Sequence, residues 1–141
     1  MIETKFEILN PKQIPITETP ARPAGGQNTK RYDLEDRTLK YAERVRNYIK
    51  KLPRSITNIE IGGQMFRSAG SVGANYIEAN EALGKKDFAM RIRICRKEAK
   101  ESRYWLNLSE PAEQEEAERQ GLLQEATELM KIFGSILEKC K

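Results

Sequence analysis

From Asp33 onward the apolar positions recur with the period of an α-helix. Leu34, Thr38, Tyr41, Val45, Tyr48 and Leu52 follow spacings of 4, 3, 4, 3 and 4, which is one helical stripe. Asp33, Glu35 and Asp36 crowd the expected first turn, where the helix dipole favours anions, and Pro53 ends the element. Ser55 or Thr57 is placed to cap a second helix, and Thr57-Asn-Ile-Glu60 fits a capping box. Its expected core stripe is Ile59, Phe66, Ala69, Gly73, Tyr76 and Leu83, widened by Ile61, Met65 and Val72. Gly62-Gly63 is expected to loosen or kink it, and Gly84 to close it in the left-handed conformation. A third helix is expected from about Lys86 to Leu108, with a seam of Phe88, Ile92, Cys95, Ala99, Ser102 and Leu106, closed by Pro111. The fourth carries Leu122, Ala126, Leu129, Phe133, Ile136 and Cys140, with Gly121 setting off a short first turn. No strand-like alternation appears. Short links between long helices favour antiparallel neighbours. The expected fold is therefore all-α, an antiparallel up-down-up-down four-helix bundle over residues 31–141.

Residues 1–30 read differently. They hold Pro11, Pro15, Pro20 and Pro23 together with Gly25-Gly26, and their apolar residues Phe6, Ile8, Leu9, Ile14 and Ile16 are too scattered to define an element. A flexible or extended arm is expected, either a free tail or a strap along a neighbouring subunit.

The stretch RSAGSVGANYIEAN, Arg67 to Asn80, places glycine, serine and asparagine in the middle of the second helix, against their propensity. Ser68, Ser71, Asn75 and Glu78 fall on one stripe at spacings of 3, 4 and 3. Small polar side chains let a second helix come close. Tight packing inside the bundle, a subunit interface and a polar ligand stripe all fit that pattern.

Charge changes the picture more than bulk composition does. The 141 residues carry a net charge of +4, with a charged fraction of 33%. The excess is local: residues 85–103 carry eight Lys/Arg against three Asp/Glu, and residues 110–128 carry seven Glu against one Arg. Lys85, Lys86, Arg91, Arg93, Arg96, Lys97, Lys100 and Arg103 line the third helix, and Arg37, Lys40 and Arg44 recur at helical spacing on the first. Such rows suit phosphate contact. The bland reading pairs them with Glu98, Glu101 and the Glu-rich fourth helix, or leaves them as solvated faces. Tyr104 and Trp105 read as core. The chain has no histidine, which excludes Ser-His-Asp and Cys-His nucleophiles and the Glu-x-x-His ligands of a di-metal bundle. Two distant cysteines, Cys95 and Cys140, suit reduced thiols better than a disulfide framework. No metal site and no cofactor are expected. No membrane span and no secretory leader are read from the sequence, so a cytoplasmic location is expected.

The run Arg67–Asn75, with Glu78-Ala-Asn-Glu81, Lys85-Lys-Asp-Phe88, Lys97-Glu-Ala-Lys-Glu-Ser102 and Tyr104-Trp-Leu106, resembles the 23S rRNA-intervening-sequence (S23-like) four-helix bundle proteins. The accessory variability determinant of diversity-generating retroelements is similar to the same motifs. The resemblance implies a homo-oligomeric ring, a pentamer. Through its retroelement relatives it also implies binding of RNA or DNA and association with a reverse transcriptase. It supplies no catalytic residues, so a non-enzymatic nucleic-acid-binding accessory protein is expected. A protein-interaction or assembly module is the alternative.

Overall fold

The structure, a computed structural model, describes residues 29–141, with side chains from Leu34 onward. The expectations for residues 1–28 lie outside it. Four α-helices make up the described chain: α1 (Thr29–Lys50), α2 (Ile56–Asn80), α3 (Lys85–Leu108) and α4 (Glu116–Lys139), the last preceded by a 3₁₀ turn at Glu113–Glu115. Helix α1 packs on α2 and α4, α2 on α3, and α3 on α4, which is the expected four-helix bundle.

Helix α1 starts earlier than expected, so Asp33, Glu35 and Asp36 all fall beyond its first turn, which holds no acidic residue. Its stripe from Leu34 to Leu52 is buried throughout. The chain turns at Leu52-Pro53, and α2 is capped by Ser55, whose extended backbone lets its Oγ accept from Asn58 N at 3.1 Å. The Thr57 capping box is thus not used. Helix α2 runs unbroken through Gly62-Gly63. A Cβ on Gly62 would lie 3.1 Å from Ile49 Cγ2, so the glycine leaves room for close contact between α1 and α2 there. Gly84 is extended rather than left-handed, at φ −143° and ψ 164°, and serves as the N-cap of α3 instead. Gly121 lies inside α4; a Cβ at that position would come within 3.0 Å of an Arg44 guanidinium nitrogen.

The core stripe of α2 differs from the expected one. Ile61, Met65, Ala69, Val72, Tyr76 and Ala79 are buried, whereas Ile59 (53% exposed), Phe66 (49%) and Leu83 (85%) face outward. The small residues let α2 approach α1 closely at one point. A Cβ on Gly73 would sit 2.9 Å from Thr38 Oγ1 and 3.3 Å from Thr38 Cβ. That contact accounts for the glycine despite its propensity cost of about 1 kcal/mol.

One end of the bundle is tied by side chains. Asn58 Nδ2 donates to Pro53 O (2.9 Å) and Glu110 O (3.0 Å), and its Oδ1 accepts from Glu110 N (3.1 Å). Arg119 donates to Ser109 O at 2.9 Å and to Asn107 O at 3.2 Å, satisfying carbonyls at the end of α3.

Candidate nucleic-acid interface

Helix α3 buries Phe88, Ile92, Cys95, Ala99, Ser102 and Leu106, so its opposite side must face solvent. At 3.6 residues per turn, Lys86, Arg93, Arg96, Lys97 and Lys100 fall within about 100° of arc on that side. All five are exposed, as is Lys85 beside them. Among the described residues none of these six is in an ion pair. The remaining two cations of α3 point elsewhere. Arg91 is half-buried and donates to Asn75 Oδ1 at 2.9 Å, and Arg103 donates to Thr127 Oγ1 at 3.1 Å.

The glutamates offered as partners are engaged away from this row. Arg37 donates from Nε to Glu125 at 2.7 Å and from a terminal nitrogen to Glu128 at 2.7 Å. The hydrogen bond to Glu125 is the main reason the Arg37 guanidinium is held above its ordinary pKa, against desolvation. Glu128 is held below the ordinary carboxylate range, first by its hydrogen bond from Gln124 and then, against partial desolvation, by Arg37. Arg44 pairs with Glu118 at 3.1 Å, and Lys51 lies 3.9 Å from Glu115. The acidic face of α4 is therefore turned to α1, not to the cations of α3. Glu101 pairs with Arg67 of α2 at 2.7 Å and accepts from Trp105 Nε1 at 3.0 Å. Glu98 is buried, with Oε1 unpaired. On α1 only Lys40, of the three cations singled out, stays exposed and outside an ion pair; Arg37 and Arg44 are held by α4.

Tyr104 is exposed (59%), contrary to the expectation of a core position. It lies five turns from Lys86, so it continues the cation row, with Met90 between them on the same side. Its ring meets Trp105 edge-on, with centroids 5.1 Å apart at 77°, and Trp105 is half-buried. The signal was present in the spacing: Tyr104 follows Lys97 and Lys100 at +7 and +4, off the Phe88–Leu106 seam. Exposed cations ending in an exposed aromatic combine phosphate contact with a π-face on which a base can stack.

The small polar stripe of α2 is split by the fold. Ser68 is fully buried and donates to Met65 O at 3.1 Å. Ser71 and Asn75 are half-buried at the seam with α3, where Asn75 Nδ2 donates to Ser71 O at 2.9 Å, and Glu78 is exposed. Among the described residues no group of three or more Cys, Asp or Glu is placed to hold a metal, and no helix is long and apolar enough to cross a membrane.

A family model described as 23S rRNA-intervening sequence protein matches residues 30–135. A solved structure of a protein with unknown function from the S23 ribosomal protein family of Bacteroides thetaiotaomicron is similar to the chain. It is 31% identical over 74% of this chain and 97% of its own, with a TM-score of 0.64. No curated protein matches in sequence.

Proposed function

The chain belongs to the 23S rRNA-intervening sequence protein family, and from that premise we propose that it is a non-catalytic accessory protein that binds single-stranded nucleic acid along α3. The observation that carries this reading is the unpaired row Lys86, Arg93, Arg96, Lys97 and Lys100 ending at exposed Tyr104. Lysines and arginines without carboxylate partners are free to displace counterions from a phosphate chain. Tyr104 supplies the stacking surface that a duplex, with its bases already stacked, has no use for. A homo-oligomeric ring, a pentamer, would repeat the row around an axis and raise the field felt by an incoming strand. A reverse transcriptase is the polypeptide partner to which the retroelement resemblance points.

Fluorescence anisotropy with a labelled single-stranded RNA tests the reading. Five engaged phosphates give a slope of log affinity on log salt of about −3.5, and Arg93, Lys97 and Lys100 replaced together by alanine reduce it by about 2. Tyr104→Ala weakens single-strand binding by about 1–3 kcal/mol per stacked base and leaves duplex binding unchanged. Salt-independent binding, or equal losses from Arg37→Ala, removes the proposal. Sedimentation of the purified protein tests the ring separately.

A further inference from the structure

Between the end of α1 and the start of α2 lies a groove of about 330 Å³, at the small end of the range for pockets that hold small ligands. Its floor is apolar, with Ile49 from α1 and Ile59 and Phe66 from α2. Ile59 and Phe66 stand two turns apart, so the floor is about 10 Å long. Gly62 and Gly63 lie between them and also line the groove. Gly62 leaves room for Ile49, but Gly63 has no such duty, since a Cβ there would meet nothing within 4 Å. Its missing side chain keeps the floor bare beside a phenyl ring that is itself half-exposed.

The rim is cationic. Arg46, Lys50 and Arg54 line the groove, exposed and, among the described residues, in no ion pair. Among the described residues no Asp or Glu lines it. Three cations without a counter-charge raise a positive potential over the floor, and a guanidinium fork matches the geometry of a phosphate. The amide in the lining, Asn58, is already committed to Pro53 and Glu110. A bound ring would therefore be held by its face and not read at its edge. The fitting ligand has a flat body the size of a nucleobase and a phosphate beside it. The floor is too short for an extended acyl chain, and an acidic peptide would leave the phenyl face unused.

We propose that this groove binds a nucleotide, its base against Phe66 and Ile59 and its phosphate among Arg46, Lys50 and Arg54. A free nucleotide and the terminal nucleotide of a strand present the same chemistry. The site is built from α1 and α2 and does not rest on the cation row of α3. Isothermal titration of the full-length protein with AMP, adenosine and a hexaglutamate peptide tests it. AMP should bind about ten-fold tighter than either of the others. Phe66→Ala should weaken AMP binding about ten-fold, the loss of one stacked base. Arg46→Ala with Arg54→Ala should do the same through the phosphate. Gly63→Leu should block the groove without disturbing the bundle, because its side chain enters open space. The variant with Arg93, Lys97 and Lys100 replaced by alanine should still bind AMP, which separates this site from α3. In that variant a 5′-phosphorylated single-stranded octanucleotide distinguishes the sources. If the octanucleotide binds and AMP does not, with the same losses from Phe66→Ala and Gly63→Leu, the occupant is the end of a strand. The proposal is overturned if neither ligand binds, if binding is indifferent to Phe66→Ala and Gly63→Leu, if hexaglutamate matches AMP, or if the α3 replacements abolish binding of both ligands.

Discussion

The Tyr41 hydroxyl lies 2.6 Å from Ser102 Oγ, joining α1 to α3 across the bundle. Seven residues further along, the contact recurs between Tyr48 and Ser109, the residue that caps α3, again at 2.6 Å. Each serine donates its own proton to a carbonyl three residues back, Ala99 O at 2.9 Å and Leu106 O at 2.7 Å. The tyrosines must therefore be the donors to the serines. Ser102→Ala would leave the buried Tyr41 hydroxyl without its acceptor and should destabilise the protein by about 1–3 kcal/mol. Tyr41→Phe removes the donor but leaves Ser102 bonded to Ala99 O, so its cost at neutral pH should be nearer 1 kcal/mol. Urea unfolding of the two variants measures the difference.

The same tyrosine fixes an alkaline limit. Burial is the main reason its hydroxyl is pushed up to about 12. An unfolded tyrosine releases its proton near 10. The folded state thus holds the proton more tightly, a contribution that is complete below pH 10 and vanishes as the pH climbs through about 12. The gap corresponds to roughly 3 kcal/mol. Denaturation at intervals from pH 8 to pH 12 should show this loss in the wild type and a smaller one in Tyr41→Phe.

Gly73→Ala should cost about 1–3 kcal/mol through overpacking against Thr38. Removing the obstructing hydroxyl with Thr38→Ala should recover part of that loss in the double variant. Gly134, by contrast, has open space around it. Gly134→Ala should stabilise the protein by up to about 1 kcal/mol through helix propensity alone. Thermal unfolding of the four proteins separates the steric effect from the propensity effect.

The two thiols should differ sharply in reactivity. Cys95 is fully buried, and desolvation pushes its thiol up to about 12. Cys140 is half-buried, its thiol raised by desolvation against the lowering effect of Lys85 and Arg93. A colorimetric disulfide reagent at pH 8 should label Cys140 in the native protein, and Cys95 only as the bundle opens.

Asn58→Ala should cost about 1–3 kcal/mol, because it strips partners from Glu110 N, Glu110 O and Pro53 O together. Hydrogen exchange should show the loss as faster exchange at Glu110.

The helices of the bundle were legible because three of the four bury a single regular stripe. On α1, α3 and α4 the large apolar residues coincide with the 3.6-residue period. Helix α2 broke that correspondence. Its buried stripe includes Ala69, Ala79 and Ser68, while Ile59 and Phe66 face outward, so side-chain size pointed to the wrong phase. Asn58 reads as an ordinary first-turn residue, because its partners lie across a loop 52 positions away. The cation row of α3 was legible from spacing. Its lack of partners was not, since that depends on α4 turning its carboxylates to α1. Tyr104 was read as core together with Trp105, whereas neighbours in a helix point about 100° apart and only Trp105 packs against the core.

Asn58 and Arg119 gather the chain at one pole of the bundle through bonds to loop backbone, while toward the other the helices are joined side chain to side chain, Asn80 to Glu35, Arg91 to Asn75 and Arg37 to Glu125 and Glu128. The two ends should therefore answer differently to added salt, which screens the Arg37 pairs and leaves the neutral Asn58 bonds untouched.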